Sequence, residues 1–434
     1  MRQSIGENPG LRSYLRDEER PPFFARHTML ANTRTSILSL AFSVLLFSFA
    51  TAQPQFERIA VFEHPADGPQ RITGGREVEF SENGTKLIAA FYGSKAQLYD
   101  LEDLSAVTRA IPTAGDGEIG FVNNDIAYTA DWTTLRLWDT STGKRIGIPM
   151  PHELREDTII SPAIGPKGKM LATRSTMQSV QLWNVTKRRQ KGKKFQYPNE
   201  VGSIRFTDDG KFLLVRAGSS IYAIDTDSQE QVVGPIKSGW RFYHFAQPQL
   251  LVTSEQAGDG PHQLVIRSTQ QAGWPEKHRF DLPGKLMRLV ALKDGQVFLQ
   301  AQTKNYRSAM SIFSLENPEE CSAVPTESDR AFGMVVPGDK RLWICSNIRD
   351  ISCQLFGESD TLWQKPVPAS GFDQKLSTFD NEHFIIRDKQ EKFGVYKISD
   401  GSQVWSQEGV TRFSVANGKL AICNRTGIEI WQYE

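Results

Sequence analysis

Arg136-Leu137-Trp138-Asp139 ends a short apolar run and leads into the turn Ser141–Lys144. The same arrangement, an apolar run closed by an aromatic or large aliphatic residue, occurs nine times along the chain. These nine closing residues, here called anchors, lie 35 to 47 residues apart and are Tyr99, Trp138, Trp183, Ile224, Ile266, Phe313, Phe356, Tyr396 and Trp431. A repeat of about 40 residues is typical of proteins built from successive four-stranded sheets.

The turns between the apolar runs support an all-β fold. Pairs such as Asn83-Gly84 and Asp209-Gly210 precede the second run of a unit and supply the positive φ that tight hairpins need. The sequence therefore predicts a single closed β-propeller with four-stranded blades. Nine blades are counted, and eight is the alternative if one of the weaker units is misread.

The position of the last anchor predicts how the ring closes. If each anchor ends a third strand, the chain stops three residues after the last one, Trp431, and the final blade lacks its outer strand. The segment Arg58–Glu63 has strand character and precedes the first full unit. We predict that it becomes the outer strand of the last blade and removes an open sheet edge.

The amino-terminal residues read as targeting sequence rather than as part of the fold. Residues 29–52 have an early Arg34, an apolar run of 13 residues at 37–49 and the small residues Ala50-Thr51-Ala52, as in a secretory signal peptide. We expect translation to begin at Met29, with residues 1–28 as an upstream extension and 53–434 as the propeller domain. The protein is then exported to a periplasmic or extracellular location without a membrane span after cleavage, and an uncleaved anchor is the alternative.

Composition and motifs favour binding over catalysis. The 434 residues carry a net charge of +1, so no broad nucleic-acid-binding surface is expected. The chain has no Gly-x-Ser-x-Gly, His-Glu-x-x-His, phosphate-loop or dinucleotide motif, and its seven histidines are scattered. We therefore predict no catalytic residues, no metal and no cofactor. The sequence gives no oligomeric state.

Two of the four cysteines flank a predicted hairpin turn. Cys345 and Cys353 lie on either side of residues 347–350, and export permits disulfides. A bridge between them is one interpretation, and a pair of free thiols is the other, because cross-strand geometry often does not suit a disulfide.

The second and third units resemble the WD40 repeat. The resemblance rests on Leu137-Trp138-Asp139, and on Gly165–Thr173 followed by Val180–Asn184; with degenerate later units it covers residues 76–434. It implies that the pair of Trp138 and Asp139 ends a third strand, that Trp183 does so in the next unit, and that Asp131 is the buried aspartate of a structural turn. The Gly-His pair that often opens such a unit is nearly absent.

A second resemblance involves quinoprotein-like propellers. The segments Ile398–Trp405 and Asp139–Lys144 are similar to the tryptophan-docking repeat of that family, although only the first keeps the tryptophan. This resemblance implies an assembly factor or a redox protein, and the ligands of a redox cofactor are not found.

Equivalent positions in the repeat suggest a binding surface. Arg174, Arg216 and Arg387 all end second strands, near the loop face that WD40 proteins most often use for binding. Arginine suits bidentate contact with carboxylate or phosphate. The alternative is that each arginine pairs with a local carboxylate, as Arg387 would with Asp388. Trp132 and Trp240 are candidate aromatic contacts on the same face, although Trp132 would equally pack on its own turn.

The leading functional hypothesis is an exported, non-catalytic WD40-type scaffold that binds a protein or peptide. The alternatives are a quinoprotein-like assembly factor or redox protein, and a propeller hydrolase or lactonase with a metal in its channel. A propeller fold alone does not decide among them.

Overall fold

The fold is built from antiparallel strands joined by short turns. In the computed structural model, the described residues are 56–63, 74–93, 95–113, 118–131, 134–151, 159–175, 178–238, 242–245, 249–256, 260–292, 296–303, 308–318, 322–324, 332–335, 342–346, 350–355, 361–366, 375–387 and 392–433. They form nine antiparallel sheets, named sheet one to sheet nine in chain order.

Sheets two and three have the predicted four strands, and sheet one has these four and a short fifth strand. Sheet one contains β2 (Gly75–Phe80), β3 (Lys86–Phe91), β4 (Lys95–Asp100) and β5 (Ser105–Ala106), with β6 (Ile111–Pro112) also paired to β4. Sheet two contains β7 (Ile119–Asn123), β8 (Ile126–Ala130), β9 (Thr134–Asp139) and β10 (Arg145–Pro151). Sheet three contains β11 (Ile159–Ile164), β12 (Met170–Ser175), β13 (Ser179–Asn184) and β14 (Arg189–Gln196), with a short 3-10 turn at Pro166–Gly168.

Sheets four to six repeat the pattern. Sheet four contains β15 (Val201–Phe206), β16 (Phe212–Ala217), β17 (Ser220–Asp225) and β18 (Gln231–Lys237). Sheet five contains β19 (Phe242–Phe245), β20 (Leu250–Gln256), β21 (His262–Ser268) and β22 (Glu276–Leu282). Sheet six contains β23 (Lys285–Ala291), β24 (Gln296–Gln302), β25 (Ser308–Ser314) and β26 (Ser322–Val324).

Sheets seven and eight repeat the pattern, and sheet nine is completed by a strand from the start of the domain. Sheet seven contains β27 (Phe332–Val335), β28 (Leu342–Ser346), β29 (Asp350–Leu355) and β30 (Thr361–Pro366). Sheet eight contains β31 (Lys375–Thr378), β32 (His383–Arg387), β33 (Phe393–Lys397) and β34 (Gln403–Gln407). Sheet nine contains β35 (Arg412–Ala416), β36 (Lys419–Cys423), β37 (Gly427–Tyr433) and β1 (Phe56–Glu63).

The anchors lie where the sequence places them. Eight of the nine fall inside the third strands of their sheets, and Phe356 lies outside the described residues. The second strands carry near-continuous buried apolar runs, for example Leu87–Phe91 in β3. Such strands are covered on both faces by neighbouring sheets.

The predicted use of the segment near residue 60 is confirmed at the level of strand pairing. β1 pairs antiparallel with β37, from Phe56 opposite Tyr433 to Glu63 opposite Gly427. Both aromatic residues of β1, Phe56 and Phe62, are buried. The first strand of the domain therefore completes the last sheet.

The core lies between the sheets. Shared clusters of buried apolar side chains join each of sheets one to five to the next sheet. Further clusters join sheet seven to eight, eight to nine, and nine back to one. The strands that come first in sheets nine and one, β35 and β2, also contact each other. The sheets thus pack face to face in chain order.

Candidate functional site

The three predicted arginines occupy the same register position. In each sheet, one residue of the second strand lies opposite the anchor, and the arginine follows that residue by three positions. The opposing pairs are Leu171 with Trp183, Leu213 with Ile224, and Phe384 with Tyr396. Sheet five has Glu255 at this position, because Val252 lies opposite Ile266. The three arginines therefore occupy equivalent positions in their sheets, and the acidic residue Glu255 occupies the same position in sheet five.

The arginines contact main-chain oxygens. Arg174 donates from Nη1 to the carbonyl of Val201 at 2.8 Å, and thereby links sheet three to sheet four. Arg387 donates to the carbonyl of Thr411, just before sheet nine. Arg216 donates to Gly218 O at 3.3 Å. Asp388, the carboxylate expected beside Arg387, lies outside the described residues.

Two of the arginines lie close enough to affect each other. Burial lowers the pKa of Arg174, the charge of Arg216 lowers it further, and Glu118 and Glu200 act in the opposite direction. Arg387 lies in sheet eight, whereas the other two lie in sheets three and four. The structure therefore brings Arg174 and Arg216 together and places Arg387 elsewhere.

A pocket opens on the same side of sheets four, five and six. Its volume is about 680 Å³, within the range of small-ligand sites. Its lining comes from the second-to-third-strand turns of sheets four and five, the end of β18, strand β22 and the start of β23. The lining residues are Ser219, Lys237, Ser238, Ser254, Glu255, Gln256, His262, Gln263, Arg279, Lys285 and Leu286. We call it the rim pocket, and we call the ends of the sheets that carry the second-to-third-strand turns the turn face.

A salt-bridge network forms one wall of the rim pocket. Glu255 accepts hydrogen bonds from Arg267 at 3.0 Å and from Arg279 at 3.1 Å. Arg279 also binds Glu276 through two bonds of 2.8 Å. The bonds to Arg279 lower the pKa of Glu276, and the bonds to Glu276 and Glu255 raise the pKa of Arg279. The two arginines and two glutamates of this wall therefore largely cancel each other's charges.

Ser238 stands out among the other lining residues. Its side chain is buried, with 5 % of its surface exposed, and its hydroxyl has no hydrogen-bond partner among the described residues. The main-chain N–H of Ser238 donates to Ser219 O at 2.8 Å and fixes the residue against the neighbouring turn. A buried hydroxyl without a partner is unfavourable unless a ligand supplies one.

Both candidate tryptophans, Trp132 and Trp240, lie outside the described residues. Trp240 follows Ser238 of the rim pocket by two positions in the sequence.

The four residues predicted to be structural make local contacts. Trp138 and Trp183 donate from their indole nitrogens to Thr129 at 3.0 Å and Thr173 at 2.9 Å, respectively. Asp131 accepts the main-chain N–H of Thr134 at 2.9 Å and pairs with Arg136.

Asp139 closes its turn in the same manner. It accepts hydrogen bonds from Ser141 and Thr142, which lower its pKa to about 2. Each of these four residues therefore stabilises a turn or a strand pair within its own sheet.

The disulfide interpretation for Cys345 and Cys353 is wrong. The strand register places Cys353 opposite Ile344 and Cys345 opposite Ser352, so the two cysteines are not cross-strand partners. Cys353 is a buried free thiol, and burial raises its pKa to about 11. Cys423 is also free and buried.

An acidic cluster on the first strands was not found from sequence. Glu77 and Glu79 lie on β2, and Glu118 lies just before β7. Solvent reaches the Glu79 side chain, yet protein atoms surround its carboxyl closely enough for desolvation, with the charge of Glu77, to raise its pKa to about 7. Burial also raises the pKa of Glu77. Within the described part of the chain, no group of three acidic, histidine or cysteine side chains is arranged to hold a metal ion.

One sheet junction contains a docked tryptophan. The indole of Trp363 in sheet seven donates to Ile398 O at 2.7 Å. Its ring lies against Gly401, where a Cβ atom would approach the ring to 2.6 Å. Trp405, the tryptophan identified from sequence, instead packs on Trp431 with ring centroids 4.9 Å apart. The quinoprotein-like segment therefore receives the docked ring of Trp363 at its glycine.

Comparison with known proteins gives structural neighbours only. No protein-family model matches the chain, and no curated protein matches it. The dihydro-heme d1 dehydrogenase NirN, solved in complex with DHE, is 12 % identical with a TM-score of 0.50, over 69 % of this chain and 67 % of NirN.

Two further solved structures are similar over more of the chain. The computationally designed Ika8 protein is 10 % identical with a TM-score of 0.48, over 84 % of this chain and 98 % of Ika8. Hsv2 of Kluyveromyces lactis is 13 % identical with a TM-score of 0.47, over 77 % of this chain and 99 % of Hsv2. At such identities the likeness to NirN, a propeller-like protein, concerns the fold alone. The chain thus has a β-propeller-like scaffold.

Proposed function

We propose that this protein is an exported, non-catalytic β-propeller that binds a protein or peptide partner on its turn face. The observation that carries the proposal is the rim pocket, a concave polar site formed where sheets four, five and six meet. A concave site with a few convergent polar groups is the usual form of a binding site. The aligned positions of Arg174 and Arg216 lie at the same ends of their sheets.

The proposal includes a closed ring of nine blades. Buried apolar clusters join consecutive sheets at every junction except that between sheets six and seven, where residues 319–321, 325–331 and 336–341 lie outside the described residues. The pairing of β1 with β37 and the contact of sheet nine with sheet one support closure. Eight blades would require two of the nine sheets to belong to one blade.

A quinoprotein-like assembly factor is the second candidate. The docking of Trp363 on the turn at Gly401 favours it, because this contact joins two consecutive sheets through the segment that resembles that family. This candidate is also a non-enzymatic binding protein.

Export is proposed from the signal-like sequence at residues 29–52, which lies outside the described residues. Within the described residues, no helix has the length and apolar character needed to cross a bilayer. Sequencing the amino terminus of the exported protein tests this proposal. A start near Gln53 is expected, and a mature chain that keeps residues 2–26 would exclude it.

Site-specific photo-cross-linking tests the binding face. Gln256 is exposed at the rim pocket, and Asp208 is exposed in the first-to-second-strand turn of sheet four. Successive turns of an antiparallel sheet alternate between its two ends, so Asp208 is a control on the opposite face. A photoreactive residue at position 256, introduced into the full chain in the native cells, should capture a discrete partner. The same residue at position 208 should capture none, and equal capture at both positions would refute the proposal.

A further inference from the structure

We infer that the basic outer edge of sheets two and three docks on a membrane surface that carries anionic lipid headgroups. This surface is formed by strands β10 and β14 and the turns that lead into them, and we call it the basic edge. It does not include the rim pocket, so a partner bound on the turn face neither requires nor supplies a membrane. The basic edge is therefore a second binding surface, beyond the proposed function.

Sheet three has an unusual charge for this chain. Residues 159–196, which form the sheet, contain nine lysines and arginines and no aspartate or glutamate, whereas the whole chain has 51 basic and 50 acidic residues. Four of the nine lie on the outer strand β14. The other outer strands have at most two each, and on β22 Glu276 and Asp281 offset them. The cations of β14 thus exceed what the other edge strands use to prevent edge-to-edge pairing.

Most cations of the basic edge are exposed and unpaired. Lys191 is the exception that the structure shows in detail, because it donates to Thr226 O at 2.6 Å and lies 3.7 Å from Asp227. Six exposed side chains make no ion pair with any other described residue, namely Lys144, Arg145, Lys187, Arg188, Arg189 and Lys193. These six are available to an external anionic layer.

The cations of the two sheets form one continuous surface. Strands β10 and β14 both follow third-to-fourth-strand turns, which lie at the same end of their sheets. A Cβ atom on residue 147, which is Gly147, would lie 3.1 Å from the Cβ atom of Arg188. Lys144 and Arg145 therefore lie beside the basic run that begins at Lys187.

An apolar side chain protrudes from the same surface. The four steps from Ile146 to Met150 on β10 face only two steps on β9, and Gly147 within this bulge has a φ of 67°. Ile148 follows and is 73 % exposed, the highest value for a large apolar side chain among the described residues. Bulges at sheet edges change the direction of a side chain. This bulge presents an isoleucine to solvent beside the cations.

Free cations combined with a protruding isoleucine favour a membrane surface over a soluble polyanion. Basic residues near anionic headgroups and an apolar side chain at the acyl boundary both contribute to membrane binding. A nucleic acid or an acidic polysaccharide would contact the cations, but it has no apolar layer to accept Ile148. The aromatic residues of sheet three, Trp183 and Phe195, are buried and offer no ring for base stacking.

Vesicle co-sedimentation tests the inference with the wild-type protein. The vesicles contain either phosphatidylcholine alone or three parts phosphatidylglycerol to seven parts phosphatidylcholine. We expect at least tenfold tighter binding to the anionic vesicles, and the difference should shrink as the salt concentration rises. Comparison of the two vesicle types cancels any contribution that does not depend on charge, including that of the apolar residues 37–49.

Two double variants separate the basic edge from net charge. Arg189→Gln with Lys193→Gln should weaken binding to anionic vesicles at least tenfold, because each basic residue near such a surface contributes on the order of fivefold. Lys277→Gln with Arg425→Gln also removes two exposed cations, from sheets five and nine, and should stay within twofold of the wild type.

A second pair of variants tests the apolar contact. Ile148→Ser should weaken binding to anionic vesicles at least threefold and leave binding to dextran sulfate, a polyanion without an apolar layer, unchanged. Leu362 is 52 % exposed on β30 of sheet seven, so Leu362→Ser is the matched control and should change neither. Circular dichroism spectra and melting temperatures check that all variants fold.

Three results would overturn the inference. The first is equal binding to the two vesicle types, and the second is an equal loss of vesicle binding in the two double variants. The third is full vesicle binding by Ile148→Ser while Arg189→Gln with Lys193→Gln loses dextran sulfate, which would identify a soluble polyanion as the ligand. Cross-linking at position 256 is scored separately, so the membrane inference and the proposed function can fail independently.

Discussion

The junction of sheets nine and one and the rim pocket are two regions where neighbouring sheets meet, and they are filled in opposite ways. At the junction, here called the closing seam, Phe62 stacks on Tyr99 with ring centroids 3.9 Å apart. The Phe80 N–H donates to Ser414 Oγ at 3.2 Å, and Asn417 donates to Asn83 O at 2.6 Å. In the rim pocket about 680 Å³ stays open, and the buried Ser238 hydroxyl has no hydrogen-bond partner within the part of the chain that the structure describes.

We therefore expect the closing seam to stabilise the fold and the rim pocket to bind a ligand. Close packing of apolar side chains stabilises a fold, and loss of even a few methylene groups is felt. At the seam, a Cβ atom on residue 75, which is Gly75, would lie only 2.7 Å from the carbonyl oxygen of Gly427. Open polar volume contributes nothing to stability and leaves room for a ligand. The variants below follow this comparison from the largest expected effect to the smallest.

Removing the first strand should have the largest effect. Deletion of residues 53–65 removes β1, exposes the edge of β37 and takes away the buried rings of Phe56 and Phe62. We expect the melting temperature to fall by more than ~10 °C, or the chain not to fold, since each buried ring is worth several kcal/mol. Differential scanning calorimetry measures the change, and an unchanged transition would contradict the role of β1.

A single substitution at the seam should act in the same direction. Phe62→Ala empties a buried site between sheets nine and one and should cost about 3–5 kcal/mol of unfolding free energy. Urea denaturation gives the value. Val61 is exposed on the same strand, so Val61→Ala is the matched control and should change the free energy by less than about 0.5 kcal/mol. Similar losses in the two variants would mean that β1 does not bury Phe62.

Glu79, on strand β2 of the seam, should make stability depend on pH. Its pKa is about 7 in the folded chain, above the ordinary value of 4.5, so the folded state holds a proton that the unfolded state releases. Its contribution is complete below pH 4.5 and is lost as the pH rises through about 7. Denaturation of Glu79→Gln across this window should show a smaller fall than the wild type. Identical pH profiles would contradict the raised pKa.

The smallest effect on stability is expected in the rim pocket. Ser238→Ala removes a hydroxyl for which the described residues provide no hydrogen-bond partner, and it should alter the unfolding free energy by no more than about 0.5 kcal/mol. Ser414→Ala is the matched serine variant at the seam, and it should cost about 1 kcal/mol because it breaks the bond from Phe80. If Ser238→Ala were the more damaging change, the pocket would be a structural element rather than a binding site.

The repeat could be read from the sequence because it depends on local patterns. Anchors such as Tyr99 and Trp431 end apolar runs at regular intervals, and their spacing predicts the pairing of β1 with β37 that the structure shows. The same counting aligned Arg174, Arg216 and Arg387. Periodic register needs no tertiary information, since each unit repeats the pattern of the previous one.

The site could not be read in this way. The rim pocket gathers Ser219, Ser238 and Glu255 from separate turns, and no sequence pattern reports that a hydroxyl lacks a partner. The sequence left the pairing of Cys345 and Cys353 open for the same reason, because one residue of register at a hairpin decides which positions face each other. The raised pKa of Glu79 arises from packing that sequence does not show.

Hydrogen exchange at β1 tests the closing seam, the central claim of this account, most directly. In the wild-type protein, mass spectrometry of peptides covering residues 56–63 and 427–433 reports the free energy of opening of each strand. If β1 closes the ring, both peptides should exchange with the same free energy as the interior strands β3 and β36. Exchange of residues 56–63 at the rate of an unfolded chain, with β36 still protected, would contradict the closure.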